Sequence, residues 1–542
     1  MENKTYQIKI ESILGGHSPA THFSGSDQFL GSTGIDPGIS PGNSSLGRLS
    51  GLLVPSSSSN ISGENVTGAP MWIKAEPKTQ TYYIYDVRGS VYSTDGSTIT
   101  PLGDLNDGGS AAGNGMAYYD NYIYFSRNTT VARYGPLNGT PTFADDYWVG
   151  TLGKTALVDT LYPYETGNTL EYPNHILHRH SDGRLYIADV VGNLGTVHYI
   201  ETTKTTVEGD TDNGSTYSKL TVGYGLWPTA MESYGSDLVI AFFEGMGGSP
   251  GNAGRSNAKI AFWDTTSQNV NKITWVEFPD PLVSAIKNAN GVLYVVSGNP
   301  SNSGYRVSRF IGGYTFEEVA YFEGGFPSFA GAVDAIGNRL FFGNRGSIDN
   351  QNTADGGAWS IGLSKSTLGN GLFNVMRSTS STSSTQNSAY ITSLSVQALT
   401  FVAQGLISGW STGASGGSRN GIDVQDGSTY DQAVSVWWSQ LYKIGQPFKI
   451  KKIRIPIAYQ AIGANMIVTP KIYTDEGAGT TYTLAAINNT NDPGAFNVVR
   501  RSGSSGEVIT GQHSFFLELR WTGSALCVVG LPIIIEYELI DD

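Results

Sequence analysis

The chain has 542 residues with 33 basic and 46 acidic side chains, a formal net charge of −13, and only 15% of its residues are charged. With 69 glycines and an 11% aromatic share, the composition suits many short strands joined by tight turns and argues against helical bundles and coiled coils. The acidic balance speaks against a general nucleic-acid binder, which needs a basic face.

The opening residues, Met1 to Ile10, show no apolar h-region and no small-residue cleavage site, so no signal peptide is expected and the chain is expected to accumulate inside a cell or a particle. Residues 1–66 read as an extended N-terminal arm, Gly/Ser/Pro-rich over 13–70, with short strands at Tyr6–Ile13 and Leu52–Pro55. Such an arm carries too few apolar residues to fold on itself, so it is expected to lie along its own neighbouring domain or another subunit.

Residues 67–430 repeat a pattern of strand, Gly/Asn/Asp turn and apolar strand. It appears at Gln80–Tyr85, Asp120–Phe125, Asp182–Ile187, Gly235–Ile240, Asn290–Val295 and Gly337–Phe342, with a degenerate copy at Val396–Phe401. The Asp-Gly and Asn-Gly dipeptides are the residues that tight hairpins need, because both central positions take positive φ. Anchoring the copies on Tyr82, Tyr122, Leu185, Leu238, Leu293, Leu340 and Leu399 gives spacings from 40 to 63 residues. A period of this length with four short strands per unit predicts a seven-bladed β-propeller, an N-terminal strand being available to close the last blade. The variable segments Gly245–Asn257, Arg345–Gly357 and the Ser/Thr run Ser378–Thr385 fall between the strands, where recognition usually sits.

From 431 to 542 apolar and polar residues alternate with period two, as in Phe448–Ile457, Ile467–Tyr473, Phe515–Trp521 and Pro532–Leu539. That predicts a β-sandwich, jelly-roll-like, in which Phe448–Ile457 and Phe515–Trp521 offer candidate exposed edges for docking. The fold class is therefore all-β. The longest apolar run, Ala525–Ile535, contains Gly530 and Pro532 and is too short for a membrane span. Cys527 lies in an apolar strand and is expected to be a buried thiol.

The order Gly51-Leu-Leu-Val-Pro, Gly68-Ala-Pro-Met-Trp-Ile, blade-like repeats, Ser439–Ile450, His513–Gly523 and Leu531–Glu538 resembles that of structural proteins of uncultured tailed bacteriophages. The resemblance is one of order and texture over most of the chain. It implies a virion component at or near the tail, made in the host cytoplasm, and transfers no functional residue.

No chemistry-bearing motif is complete. Gly247–Gly251 and Gly413–Gly417 match the nucleophile-elbow spacing around Ser249 and Ser415, but neither precedes a helical pattern and Pro250 removes a backbone donor. Gly153-Lys-Thr155 lacks the first glycine of a phosphate loop, since Trp148 stands there. His175, His178 and His180 precede a hairpin turn; His178 and His180 share a strand face, yet no carboxylate or cysteine completes a metal set locally. Asp104–Asp107 and Asp210–Gly214 resemble half of a calcium loop without its closing Glu, leaving turns or a calcium ion open. Asp145-Asp146, Glu317-Glu318 and Glu244 supply carboxylates, but adjacent strand residues face opposite ways. Trp437-Trp438 and Trp521 suit a core better than a sugar platform.

The sequence thus predicts a non-enzymatic virion structural protein, with no catalytic, cofactor-binding or metal residues and no cofactor. Its partners would be copies of itself and other virion proteins. The rival expectations are a host-receptor or polysaccharide-binding tail protein using propeller loops, some of them degrading, and a cellular propeller scaffold.

Overall fold

The computed structural model describes residues 4–13, 16–17, 28–33, 35–36, 46–48, 50–53, 68–79, 81–96, 98–105, 112–127, 130–148, 175–191, 194–200, 220–244, 257–267, 270–298, 304–322, 330–344, 357–362, 372–376, 394–402, 405–412, 419–430, 435–458, 466–477, 479–488, 496–499, 509–523 and 527–540. Among them the chain is all-β: strands dominate, joined by turns and three short 3-10 segments.

Seven four-stranded antiparallel sheets follow one another along the chain. Their first strands are Pro70–Ala75, Ala112–Tyr119, Ile176–Arg179, Leu226–Tyr234, Leu282–Ala289, Val333–Ile336 and Leu394–Val402. Six of the sheets are built from four consecutive strands, whereas the seventh takes its fourth strand, Ser50–Leu53, from the N-terminal segment, with Leu53 opposite Val424. Each first strand packs on the first strand of the next sheet, and Leu394–Val402 returns to Pro70–Ala75, so the series closes on itself.

Close approach between neighbouring sheets explains two glycines. A Cβ at Gly195 would overlap the Leu226 carbonyl, and one at Gly343 the Val396 carbonyl, each on the following sheet. Side chains also cross the junctions: Tyr85 Oη donates to Ser126 O at 2.7 Å, and Thr229 Oγ1 to Val283 O at 2.6 Å. Second strands such as Tyr82–Asp86 and Leu238–Phe243 are buried throughout, because a sheet covers each of their faces. That double cover is why they read as unbroken apolar runs, while the outermost strand Thr315–Phe322 stays largely exposed.

Two of the expected hairpins have both central residues at positive φ, whereas at Asp182-Gly183 only the glycine does, in a longer connection between Arg179 and Leu185. Asp120 and Asn121 have φ of 46° and 62°, and Asn290 and Gly291 have 50° and 91°. One repeat is displaced from its expected place. Val396–Phe401 belongs to the first strand of the seventh sheet, and the second strand opens at Gly405, so Leu406 rather than Leu399 is the counterpart of the other anchors.

The remaining strands form two larger sheets around one core. One runs Thr5–Ile10, Ile533–Leu539, Phe448–Ala458, Val528–Val529, Leu46–Arg48, Ile35–Asp36; Phe496–Val499 and Ile509–Gly511 also pair with Phe448–Ala458. The other runs Gly16–His17, Gln28–Thr33, Ser435–Ser439, Ser514–Gly523, Met466–Thr474, Thr481–Thr483. Ile10, Ile13 and Phe29 from the N-terminal segment share the buried cluster of Trp437, Phe448, Phe515 and Trp521.

The described strands of the N-terminal segment, expected from the sequence to lie along its own neighbouring domain or another subunit, are six in number and are built into sheets of the same chain. One expectation changes. Phe448–Ile457 and Phe515–Trp521 are interior strands with neighbours on both sides. Period two reports which face of a strand is buried and says nothing about whether its hydrogen-bonding edges are paired. Among the described residues an outer edge of the first of these sheets belongs instead to Thr5–Ile10, which pairs there only with Ile533–Leu539.

Candidate functional site

One register position recurs on all seven first strands. It holds Lys74 opposite Tyr83, Tyr118 opposite Ile123, His178 opposite Tyr186, Glu232 opposite Val239, Lys287 opposite Tyr294, Asp334 opposite Phe341 and Thr400 opposite Ile407. Each lies just before the turn into the second strand, so the seven form a belt near one end of the closed series.

Links pass along the belt from sheet to sheet. Lys287 Nζ lies 2.9 Å from Asp334 Oδ1 and 3.7 Å from Glu232 Oε2. Asp334 Oδ2 accepts from Thr400 Oγ1 at 3.0 Å and from the Phe401 amide at 3.3 Å. His178 Nε2 is 2.9 Å from Ser233 Oγ and 3.9 Å from Glu232 Oε1. The same Ser233 hydroxyl meets His180 Nδ1 at 2.8 Å, so it joins two imidazoles of the third sheet to the fourth.

Electrostatics show that these groups converge. Burial alone would pull the Lys287 ammonium down, but Asp334 and Glu232 outweigh it and hold its pKa above the ordinary lysine value. Burial would raise the Asp334 carboxyl; Lys287 and then Lys74 overcome this and hold it low. Lys74 is shifted down by desolvation first and then by Lys287, although it belongs to the first sheet and Lys287 to the fifth. His178 is pushed down to about 4, chiefly by burial, with Glu232 opposing. With its pKa at about 4, His178 is neutral near pH 7.

The belt is enclosed and yet retains accessible surface: 14% for Glu232, 17% for His178, 19% for Asp334 and 23% for Lys287. Lys74 differs from Lys287. Among the described residues it makes no ion pair, and its Nζ lies 5.1 Å from the centroid of the Trp72 ring, two residues earlier on the same strand. Trp72 is 6% exposed, and its indole N–H has no hydrogen-bond partner among the described residues. It packs in one cluster with Met116 and Leu282 from the second and fifth sheets and Ala332 from the 3-10 turn ahead of the sixth.

The residues singled out from the sequence fare differently. Ser249, Ser415, Gly153–Thr155 and Asp210–Gly214 lie outside the described residues, as do two of the four positions of Asp104–Asp107. His175 is buried, its Nε2 donating to Thr130 O at 2.8 Å, and burial lowers its pKa to about 3. His178 and His180 come together on Ser233. The carboxylates do not gather into a pair: Asp146 meets Arg127, Glu317 meets Arg309, Glu318 meets Arg306 and Glu244 meets Lys259. Trp437 and Trp521 are in the sandwich core, and Trp438 Nε1 donates to Glu518 at 3.0 Å. Cys527 is a buried thiol whose pKa burial raises to about 12. Among the described residues no three His, Cys, Asp or Glu side chains are grouped to hold a metal ion, and no helix is long and apolar enough to cross a membrane.

Sequence reasoning missed Lys74, Glu232, Lys287 and Asp334. The signal was present: Glu232, Lys287, Asp334 and Thr400 each stand six residues ahead of the anchors Leu238, Leu293, Leu340 and Leu406. With Leu399 as the last anchor the column breaks.

No family model matches the chain, and no curated protein matches it. Among solved structures, it is similar at 10% identity to the extracellular domain of a hybrid two-component system from B. thetaiotaomicron, covering 82% of this chain and 48% of that one, with a TM-score of 0.38. The chain thus spans about half the length of that protein. A computationally designed protein, Ika8, is similar at 14% identity over 68% of this chain and 99% of its own, with a TM-score of 0.35. Likenesses at these scores carry no argument about fold or activity.

Proposed function

We propose that the seven four-stranded sheets are the blades of a β-propeller joined to a β-sandwich, and that the protein is a non-enzymatic structural component of a phage particle, present in several copies at or near the tail. The observation that carries the assembly reading is the open edge of Thr5–Ile10. Among the described residues it pairs on one side only, with Ile533–Glu538, and its other side offers unpaired backbone groups to a second copy or another virion protein. The resemblance in motif order supplies the particle as the setting. Interlacing of both chain ends supports a rigid body that can bear load between neighbours.

Mass spectrometry of purified particles tests the setting, with the protein expected in stoichiometric amounts. Gln7→Pro tests the edge, since it removes a backbone donor at an outer strand. The variant should remain folded and sediment as a smaller species than the wild type. Wild-type protein that is monomeric at every concentration, or absent from particles, would sink the reading.

A further inference from the structure

We propose that the belt is a binding site for a small hydroxylated carboxylate, an acidic sugar, whose carboxylate docks on Lys74 and whose hydroxyls donate to Asp334 and Glu232. This goes beyond the structural role and does not rest on it, because binding would persist in a chain that never enters a particle.

Three observations converge. Lys74 is the belt cation with no carboxylate at ion-pair distance among the described residues, whereas Lys287 is held by two. A desolvated ammonium of this kind gains from an incoming anion more than an exposed one does. Asp334 and Glu232 both contact Lys287, and each keeps part of its surface accessible. They would repel a phosphate dianion, and they accept hydrogen bonds from hydroxyl groups, which selects a single negative charge carried on a polyol. Finally, Lys74 Nζ lies 5.1 Å from the centroid of the Trp72 ring, whose indole N–H has no hydrogen-bond partner among the described residues. His178, neutral at pH 7, and Thr400 complete the wall without adding charge.

The rival role for the belt is to hold the sheets in register, and the experiment separates the two. Isothermal titration of the full chain uses sodium D-glucuronate, D-glucose and sodium acetate as probes. Saturable glucuronate binding is expected, with glucose (no carboxylate) and acetate (no hydroxyls) at least about tenfold weaker, some 1.4 kcal/mol. Lys74→Met should weaken glucuronate binding by about tenfold or more, and Lys74→Arg, which keeps the charge, should restore part of it. If Lys74→Met does not fold, Lys74→Gln takes its place. A glucuronate-terminated trisaccharide that binds as well as the free acid assigns the ligand to a glycan end, and binding of the free acid alone assigns it to a soluble molecule. Absence of glucuronate binding at millimolar concentration overturns the proposal, as does wild-type affinity in the Lys74 variants.

Discussion

The seven sheets and the two sandwich sheets use the same chain in opposite ways. Each of the first six sheets is made from consecutive hairpins, so nearly every strand pairs with its sequence neighbour. The sandwich pairs strands from the two ends: Gln7 Nε2 donates to Glu536 Oε1 across 529 residues, and Phe29 packs on Trp437 with ring centroids 6.1 Å apart. Closing so long a loop costs little more entropy than closing a short one, because the cost grows only with the logarithm of length. It does delay formation, since non-local contacts reward the chain only after that entropy is lost. The seventh sheet belongs to both regimes, with three local strands and one, Ser50–Leu53, from the far end.

The largest test of this contrast is deletion of residues 1–53. It removes the edge strand Thr5–Ile10, the core side chains Ile10, Ile13 and Phe29, and the fourth strand of the seventh sheet. The sandwich should fail to fold cooperatively, while sheets two to five, which among the described residues take no strand from the segment, should keep their protection in hydrogen exchange. A truncated chain that melts like the full one would show that the interlacing contributes nothing.

Two tryptophan truncations sharpen the comparison. Trp359 and Trp521 are both fully buried, and replacing either by alanine should cost about 3–5 kcal/mol. The reach of the damage should differ. Trp521 lies on a strand with neighbours on both sides in a core fed by both chain ends, so Trp521→Ala should raise exchange as far away as Thr5–Ile10. Trp359 packs within the fifth and sixth sheets, its ring 5.3 Å from Phe322, and Trp359→Ala should be felt there alone. Equal spread in both variants would erase the distinction.

Much of the ring of sheets was legible because its determinants are local: a turn dipeptide, a doubly buried apolar run and a fixed spacing. The strands at Gly16–His17, Ile35–Asp36 and Leu46–Arg48 were not, being two or three residues long in a Gly/Ser/Pro-rich stretch where no period can be seen. Which strand neighbours Phe448–Ala458 was equally hidden, because alternation encodes faces and register but no partner. The belt falls between these cases. Its column of residues is periodic, but it emerges only once the seventh repeat is anchored on Leu406, and that depends on knowing that Leu399 lies on a first strand.

Acid should act on the ring of sheets before the sandwich. His175 and His178 have folded pKa values of about 3 and about 4, below an unfolded value near 6.5. Between those limits the unfolded chain binds more protons, so stability is full above about pH 6.5 and falls as the pH drops toward 4. The loss is on the order of 3 kcal/mol per histidine. Denaturant midpoints measured from pH 7.5 to 4.5 should decline, and His178→Gln should flatten the slope; an unchanged slope in that variant would remove His178 as a cause.

The smallest effect is expected where the ring of sheets meets solvent. Arg309 Nη2 and Glu317 Oε2 are 2.7 Å apart on the two outer strands of the fifth sheet, with Glu317 46% exposed. The short distance suggests strength, but water and salt screen an exposed carboxylate and both long side chains lose rotamer freedom to hold the pair. Glu317→Gln should therefore cost no more than about 1 kcal/mol, and less in 0.5 M salt than in dilute buffer. Asp334 makes its 2.9 Å contact with Lys287 inside the belt, and loss of that carboxylate would leave an enclosed ammonium short of a partner rather than a hydrated one. A Glu317→Gln cost as large as that of Asp334→Asn would mean that enclosure, and not distance, had been misjudged as the quantity that sets the worth of an ion pair here.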